Sequence, residues 1–281
     1  MMRPMNKKKI RLVIADIDGT MVSDSRILSG RTRMVIDQLH DRGIEIGIAS
    51  GRDYHQLLND VKQWGFLFPF DIVIGMNGGQ LYTGRDEKLR EYDLMKPDAI
   101  RSVIEMMDPL DLNPFIYGPD NSMICRRIDS ATQASRKRND MNLHAVKSLS
   151  EFWVRPINKI MYRTTEEQMP RVKQWADAHP DSRYIAFKTQ TTMLEFTDPK
   201  VNKGRALARY AELSGMPLDE MMSFGDMTND NEMLRQAGWG VCMKNGSPDT
   251  RASADDITAY SNNEDGMARY LEAYFELPSN E

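Results

Sequence analysis

Both ends of this chain alternate apolar, strand-like runs with amphipathic helical stretches, and that rhythm restricts the fold more than any other feature. The runs IRLVIA (10–15), IEIGIA (44–49) and FDIVIG (70–75) are short, continuous and rich in β-branched residues, as strands buried on both faces are. Between them lie SGRTRMVIDQLHDRG (29–43) and DYHQLLNDVKQWG (53–65). Both carry apolar residues at helical spacing. Ser29 can cap the first, and Gly43 and Gly65 can end them. Alternation resumes with VNKGRALARYAELSG (201–215), MMSFG (221–225), NDNEMLRQAG (229–238), WGVCM (239–243) and DGMARYLEAYF (265–275). Asn202 and Asn229 read as helix caps, the latter with Glu232 three residues on. This order implies a parallel sheet with helical crossovers, an α/β core built from both chain ends.

The middle of the chain is less regular. KPDAIRSVIEMMD (96–108) and TTEEQMPRVKQWADAH (164–179) look helical, with Pro170 tolerable in a first turn. PFIYGP (114–119), NSMICRRI (121–128) and INKIMYRT (157–164) look like strands, and SRYIAFK (182–188) with TTMLEFT (191–197) like a strand pair. The expected organisation is therefore a core of residues 1–84 and 194–281 with an α+β unit, 85–193, inserted into it. The basic cluster CRRIDSATQASRKRND (125–140) reads as solvated helix surface. Phe152, Trp153, Tyr162 and Trp175 read as the insert's own core.

Composition narrows the partners. With 37 basic against 41 acidic side chains the net charge is −4, so nothing points to nucleic acid or anionic lipid. The short run Lys7 to Lys9 reads as a solvated lead-in. No apolar run approaches the roughly 20 residues of a membrane span. Cys125 and Cys242 make neither a metal spacing nor a disulfide framework, which suits a reducing cytoplasm. The 21 methionines read as adaptable core filling. G-x-S-x-G, GxxxxGK[ST] and G-x-G-x-x-G are all missing.

The polar residues fall at the strand ends. Asp16 and Asp18 follow the first strand, Ser50 and Gly51 the second, Asn77 and Gly78 the third. Asp226, Asn229 and Asp230 follow MMSFG. In parallel α/β sheets ligands bind outside the carboxyl ends of the strands, so these residues should share one rim. A like-charge pair at about 4 Å costs on the order of 4 kcal/mol at an effective dielectric of 20. A divalent cation removes that cost. With only oxygen ligands to offer, the site suits a hard ion such as Mg²⁺. Lys203 and the helix N-termini after Ser50 and Asn202 add positive potential, which suits a phosphorylated ligand. Asp16 can then attack phosphorus. Asp18, pressed by like charge, can hold a proton and serve as general acid and then base.

These motifs resemble those of the haloacid dehalogenase (HAD) superfamily of phosphohydrolases. DIDGT looks like its first motif, ASGR its second, Lys203 in VNKG its third and GDMTND its fourth. GMNGG, NDNEML and the NNEDGMARYLE tail are similar to Cof-like sugar phosphatases. The resemblance covers about 1–84 and 194–281, and the insert matches by position only. It implies a Rossmann-like parallel-sheet core with an inserted class II α+β cap that selects substrate. It implies Asp16 as nucleophile, Asp18 as acid/base, and Mg²⁺ held by the Asp16 side chain, the Asp18 carbonyl and Asp226. Ser50, Gly51 and Lys203 would hold the phosphoryl group, and Asn229 is similar to a residue that contacts the phosphate or supports one that does; Asn77 and Gly78 either contact substrate or only make the turn before the insert. Asp230 would orient the metal shell or Lys203. Met21 after DGT and Lys244 in GVCMKNG depart from the common pattern, neither at the chemistry.

The expected protein is thus a cytoplasmic, Mg²⁺-dependent phosphatase of small phosphorylated metabolites, sugar phosphates or phosphorylated cofactors. Two rivals use the same residues: a phosphomutase-type phosphotransferase, and a phosphometabolite-binding regulatory module with little turnover. No sequence feature bears on oligomeric state.

Overall fold

The computed structural model describes residues 8–118, 121–139 and 141–278. Lys7 of the basic lead-in, Pro119 of PFIYGP and Asp140 of the basic cluster lie outside them. The chain divides into two compact units, one of residues 1–90 with 202–281 and one of 91–201.

The first unit opens with β1 (Leu12–Asp16), α1 (Gly30–Asp41), β2 (Glu45–Ala49), α2 (Tyr54–Gln63) and β3 (Ile72–Gly75). β4 (Gln80–Thr83) and β5 (Lys88–Glu91) follow. Ser29 caps α1 by accepting the Thr32 N–H, as its position predicts. The helix after Ser50 starts where the sequence places it, at Asp53. Asp53 caps it through the His55 N–H, so this N-terminus is already served by a carboxylate and is not an open anion site.

The second unit carries α3 (Pro97–Met107), β6 (Pro114–Gly118), β7 (Ser122–Cys125), α4 (Ser130–Asn139), β8 (Asn142–Ala145), β9 (Lys159–Arg163), α5 (Met169–Asp177), β10 (Ile185–Gln190) and β11 (Met193–Thr197). Its six strands run β10-β11-β9-β6-β7-β8, antiparallel except for β7 with β8. One sheet face packs on α3 and α5 through Ile100, Val103, Ile160, Tyr162, Val172 and Phe196. Phe152 and Tyr162 are fully buried there, and Trp153 and Trp175 pack against them, as expected of core aromatics. The opposite face holds a methionine-rich cluster of Phe115, Met123, Cys125, Met141, Met161 and Met193. In the basic segment, Arg126 and Arg127 precede α4 and pair with Asp108 and Asp111. A division before residue 194 would cut β11, whose five residues pair with β9 along their whole length; pairing therefore moves the boundary to 202. At the other end β5 extends the first unit's sheet beyond residue 84.

The chain then returns to the first unit with α6 (Lys203–Ser214), β12 (Met221–Gly225), α7 (Asn231–Gln236), β13 (Trp239–Cys242), α8 (Pro248–Arg251), β14 (Asp256–Ile257) and α9 (Gly266–Phe275). Its eight strands run β14-β13-β12-β1-β2-β3-β4-β5. Pairing is parallel from β14 to β3, and β4 is antiparallel to β3. Every residue of β1 and β12 is buried, as central parallel strands require. Val13 and Ala15 join Val35, Leu39, Leu271 and Tyr274 in the cluster under α1 and α9. Leu12 and Ile14, fully buried but outside that cluster, serve the other face. Each such aliphatic side chain contributes about 1.5–3 kcal/mol on burial. This core makes the strand ends a rigid platform. Both cysteines are free and buried. No helix among the described residues is long and apolar enough to cross a membrane.

Candidate active site

Parallel pairing of β12, β1, β2 and β3 brings their carboxyl ends to one rim. Asp16 is the last residue of β1, and Asp226 directly follows β12. Ser50 follows β2, and its N–H donates to Ile74 at 2.8 Å while its carbonyl accepts from Asn77 at 2.9 Å. The ends of β2 and β3 are thereby tied together, with Asn77 beside Ser50.

Lys203 enters from the side as the first residue of α6, whose cap Asn202 accepts the Arg205 N–H. Its side chain is completely buried, and its Nζ donates to Asp16 Oδ1 at 2.5 Å and to Asp230 Oδ1 at 2.6 Å. The other Asp230 oxygen accepts the N–H groups of Asp226 and Met227 at 3.0 and 3.1 Å. One buried carboxylate thus holds both the lysine and the turn that presents Asp226. The Thr20 hydroxyl donates to Asp226 Oδ1 at 3.2 Å. Gly19 allows this approach: its φ is +84°, and a Cβ there would lie 2.3 Å from Asp226 Oδ2. On the opposite side Gly78, with φ +109°, lets the turn after β3 lie on the Asn202 carbonyl, 2.2 Å from where a Cβ would be.

Asp16, Asp226 and Asp230 each offer an oxygen within 4.8 Å of the other two. Three carboxylates and one ammonium leave two uncompensated negative charges in a buried place. Their proximity has the expected effect on proton affinity. Burial first, then Asp230, push the Asp226 carboxyl up to about 7, against the Thr20 hydrogen bond and Lys203. Asp16 is likewise raised by burial, with Asp230 and Asp226 adding to it and Lys203 opposing. For Lys203 burial works against the charge, but Asp16 and Asp230 outweigh it and raise the group further, so the ammonium stays charged. The donor set is all oxygen and the charge deficit is two, so the residues fit one hard divalent cation. Both Asp230 oxygens are committed to protein donors, which leaves Asp16 and Asp226 as the side chains best able to hold it.

Asp18 differs from its sequence expectation. Ile17 is fully buried and its carbonyl accepts the N–H groups of Thr20, Met21 and Val22. That tight turn directs Asp18 outward, where its direct side-chain partners are cations. One Arg52 nitrogen donates to both Asp18 oxygens at 2.7 and 2.6 Å, and Arg26 Nε lies 3.7 Å from Oδ1. Arg52 also donates to Asp60 on α2 at 2.7 Å.

Asn229 does not cap a helix. A tight turn over Thr228–Asp230 precedes α7, and the buried Asp230 takes the local N–H groups instead. Asn229 Nδ2 donates to Asn77 Oδ1 at 3.2 Å, so the two asparagines meet across the rim. Gly51 lies against the same amide, 3.3 Å from where its Cβ would be. Glu232, read as part of a capping box, pairs with Arg235. The sequence reading passed over Thr20 and Arg52. Both sit inside motifs it singled out, DIDGT and ASGR, but their partners Asp226 and Asp60 lie 206 and 8 residues away.

Residues 13–271 match the family described as haloacid dehalogenase-like hydrolase. The 5-amino-6-(5-phospho-D-ribitylamino)uracil phosphatase YitU of Bacillus subtilis is 26% identical over 269 residues, spanning 95% of this chain and 98% of that protein. HMP-PP phosphatase of Yersinia enterocolitica is 24% identical over 275 residues, 95% of this chain and 96% of its own. Among solved structures, TM0651 from Thermotoga maritima superimposes with a TM-score of 0.83 at 26% identity, covering 97% of this chain and 98% of that one.

Proposed function

This chain belongs to the haloacid dehalogenase-like hydrolase family, and from that premise we propose that it is a Mg²⁺-dependent phosphatase of small phosphorylated metabolites working through an aspartyl-phosphate. The observation that carries the reading is the buried Lys203 held between Asp16 and Asp230, with an Asp226 oxygen within 4.8 Å of both acids. Relatives that act on a ribitylaminouracil phosphate and on HMP-PP support the substrate class. The two buried free thiols suit a reducing compartment.

In this reading Asp16 attacks the phosphorus in line as the ester bond to the leaving oxygen breaks. Asp18 gives that oxygen its proton, so an alcohol leaves and Asp16 carries the phosphoryl group. Water then attacks the same phosphorus and gives its proton to Asp18, the Asp16–phosphorus bond breaks, and phosphate departs. Lys203 neutralises charge on the transferring group and keeps Asp16 aimed. Ser50 and the Asn77–Asn229 pair supply neutral donors along the rim. Asp16 and Asp226 would hold Mg²⁺, which when bound would supply charge stabilisation to the transferring group. The inserted unit selects among leaving groups.

The experiment is a phosphate-release screen over sugar phosphates, phosphorylated cofactors and nucleotides, with Mg²⁺ and with EDTA, on wild type and Asp16→Asn. Metal-dependent release by wild type and loss on D16N are expected, with phosphate trapped on Asp16 of the wild type by acid quench and released from it by hydroxylamine. Full turnover by D16N refutes the assignment. Transfer to a second sugar phosphate without net phosphate release identifies a mutase. Micromolar ligand binding with no turnover identifies a binding module.

A further inference from the structure

We propose that Arg52, anchored by Asp60, is a positioning residue that fixes the Asp18 carboxyl where it can serve the leaving group. The inference rests on the reading of Asp18 as general acid, and it adds a part that reading does not contain. Asp18 has no anchor of the kind its neighbours enjoy. Asp16, Asp226 and Asp230 are buried and held by Lys203, Thr20 or backbone N–H groups. The Asp18 side chain is 47% exposed, and its hydrogen bonds come from one guanidinium nitrogen reaching both its oxygens. Left alone, such a carboxyl would sample its rotamers in water.

Arg52 is suited to prevent that. Its side chain is only 25% exposed, and its second terminal nitrogen donates to Asp60 Oδ2 at 2.7 Å. Asp60 sits in the body of α2, a rigid element. The Arg52 backbone is fixed as well: its N–H donates to Ser50 Oγ at 3.3 Å and its carbonyl accepts the Met76 N–H at 2.8 Å. A planar guanidinium clamped at one end presents a fixed pair of donors at the other. Arg26 approaches Asp18 too, but it is 62% exposed and 3.7 Å away, too mobile and too distant to set an orientation. Helix α2 is thereby connected through Asp60 and Arg52 to the one acid on the rim that the buried cluster does not hold.

The test uses the full-length protein with Mg²⁺ and three aryl phosphates of falling leaving-group acidity: 4-nitrophenyl, phenyl and 4-methoxyphenyl phosphate. It reads kcat/KM, which reports formation of the aspartyl-phosphate. A poorer leaving group needs its proton more, so losing the aim of Asp18 costs more on the weaker acids. Arg52→Gln is expected to lose on the order of 10-fold more on 4-methoxyphenyl than on 4-nitrophenyl phosphate, Asp60→Asn to show the same trend more weakly, and Arg52→Lys to recover part of it. A merely structural role lowers all three esters alike, and that result for R52Q overturns the proposal. Asp18→Asn calibrates the series with the steepest dependence. A flat D18N series overturns the reading of Asp18 itself and so separates that failure from one confined to Arg52. Should R52Q not fold, D60N decides: a loss graded with leaving group supports the anchor, and a uniform loss or none overturns it.

Discussion

Lys203 Nζ lies 2.5 Å from Asp16 Oδ1 although the two residues are 187 apart in the chain, and neither the ammonium nor its second partner Asp230 has any solvent exposure. A buried ion pair gains little over a hydrophobic substitute, but removing one member strands the others. Lys203→Met should therefore cost about 3–5 kcal/mol in urea unfolding without metal, and should abolish phosphate release. Lys203→Arg should keep the charge but not the fit, since a guanidinium fork cannot replace a compact ammonium in a space closed on all sides. Its folding loss should be smaller than that of K203M while its turnover stays near background.

Stability should fall with rising pH when no divalent cation is present. The folded chain holds the Asp226 proton up to about 7 because of burial and Asp230, whereas an unfolded chain releases it near 4. Between those values the folded state binds more protons, so this group's stabilisation is complete below about pH 4 and is lost as pH rises through about 7. At about 1.36 kcal/mol per unit the effect amounts to several kcal/mol at most. Urea midpoints measured from pH 5 to 8 in EDTA should decline for wild type and decline less for Asp226→Asn. A divalent cation would bind the ionised carboxylates, so the stabilisation by added Mg²⁺ should grow over the same range and be weak in D226N.

Much of the rim was readable in the chain because strand ends in a parallel sheet converge whatever lies between them. Asp16, Ser50, Asn77 and Asp226 each follow a short apolar run, and a run of that kind needs only local sequence to recognise. Capping was readable where a single polar side chain does the work, as at Ser29 and Asn202. It failed at Asn229 because the deciding group, Asp230, is drawn inward by a lysine 27 residues away. The surroundings of Asp18 failed for the same reason: its spacing from Asp16 suggests like-charge pressure, while the turn at Ile17 sends it to Arg52. The expected division between 193 and 194 cuts a strand: TTMLEFT pairs with SRYIAFK, as the sequence suggests, and on its other side with β9, so the whole strand belongs to the insert.

Gly19→Ala should separate metal affinity from folding. At φ +84° an alanine is strained, and its methyl would meet Asp226 Oδ2 at 2.3 Å. The left-handed conformation costs roughly 1–2 kcal/mol for a non-glycine residue, a tolerable loss. The displaced carboxylate is more serious. The Mg²⁺ concentration for half-maximal activity should rise by at least about 10-fold, the range typical when a partner that orients a ligand is lost, while the urea midpoint shifts modestly. A metal titration unchanged from wild type would count against Asp226 as a ligand.

The second unit contains a buried ion pair of its own, and it offers a test of packing separate from catalysis. Lys159 Nζ donates to Glu195 Oε2 at 3.0 Å with both side chains under 10% exposed, at 6% and 8%. The other Glu195 oxygen accepts from Thr189 at 3.1 Å. β9 and β11 are adjacent, so the pair spans one strand interval on the face that also carries Met161 and Met193. Removing Lys159 leaves the buried Glu195 carboxylate without its cation, and removing Glu195 takes the carboxylate from the buried ammonium, whereas removing both leaves an apolar patch continuous with those methionines. Lys159→Met and Glu195→Leu should each cost about 3–5 kcal/mol, and the double variant should recover most of that loss. Measured as a double-mutant cycle in urea, a coupling near zero would mean that the two side chains are solvated independently.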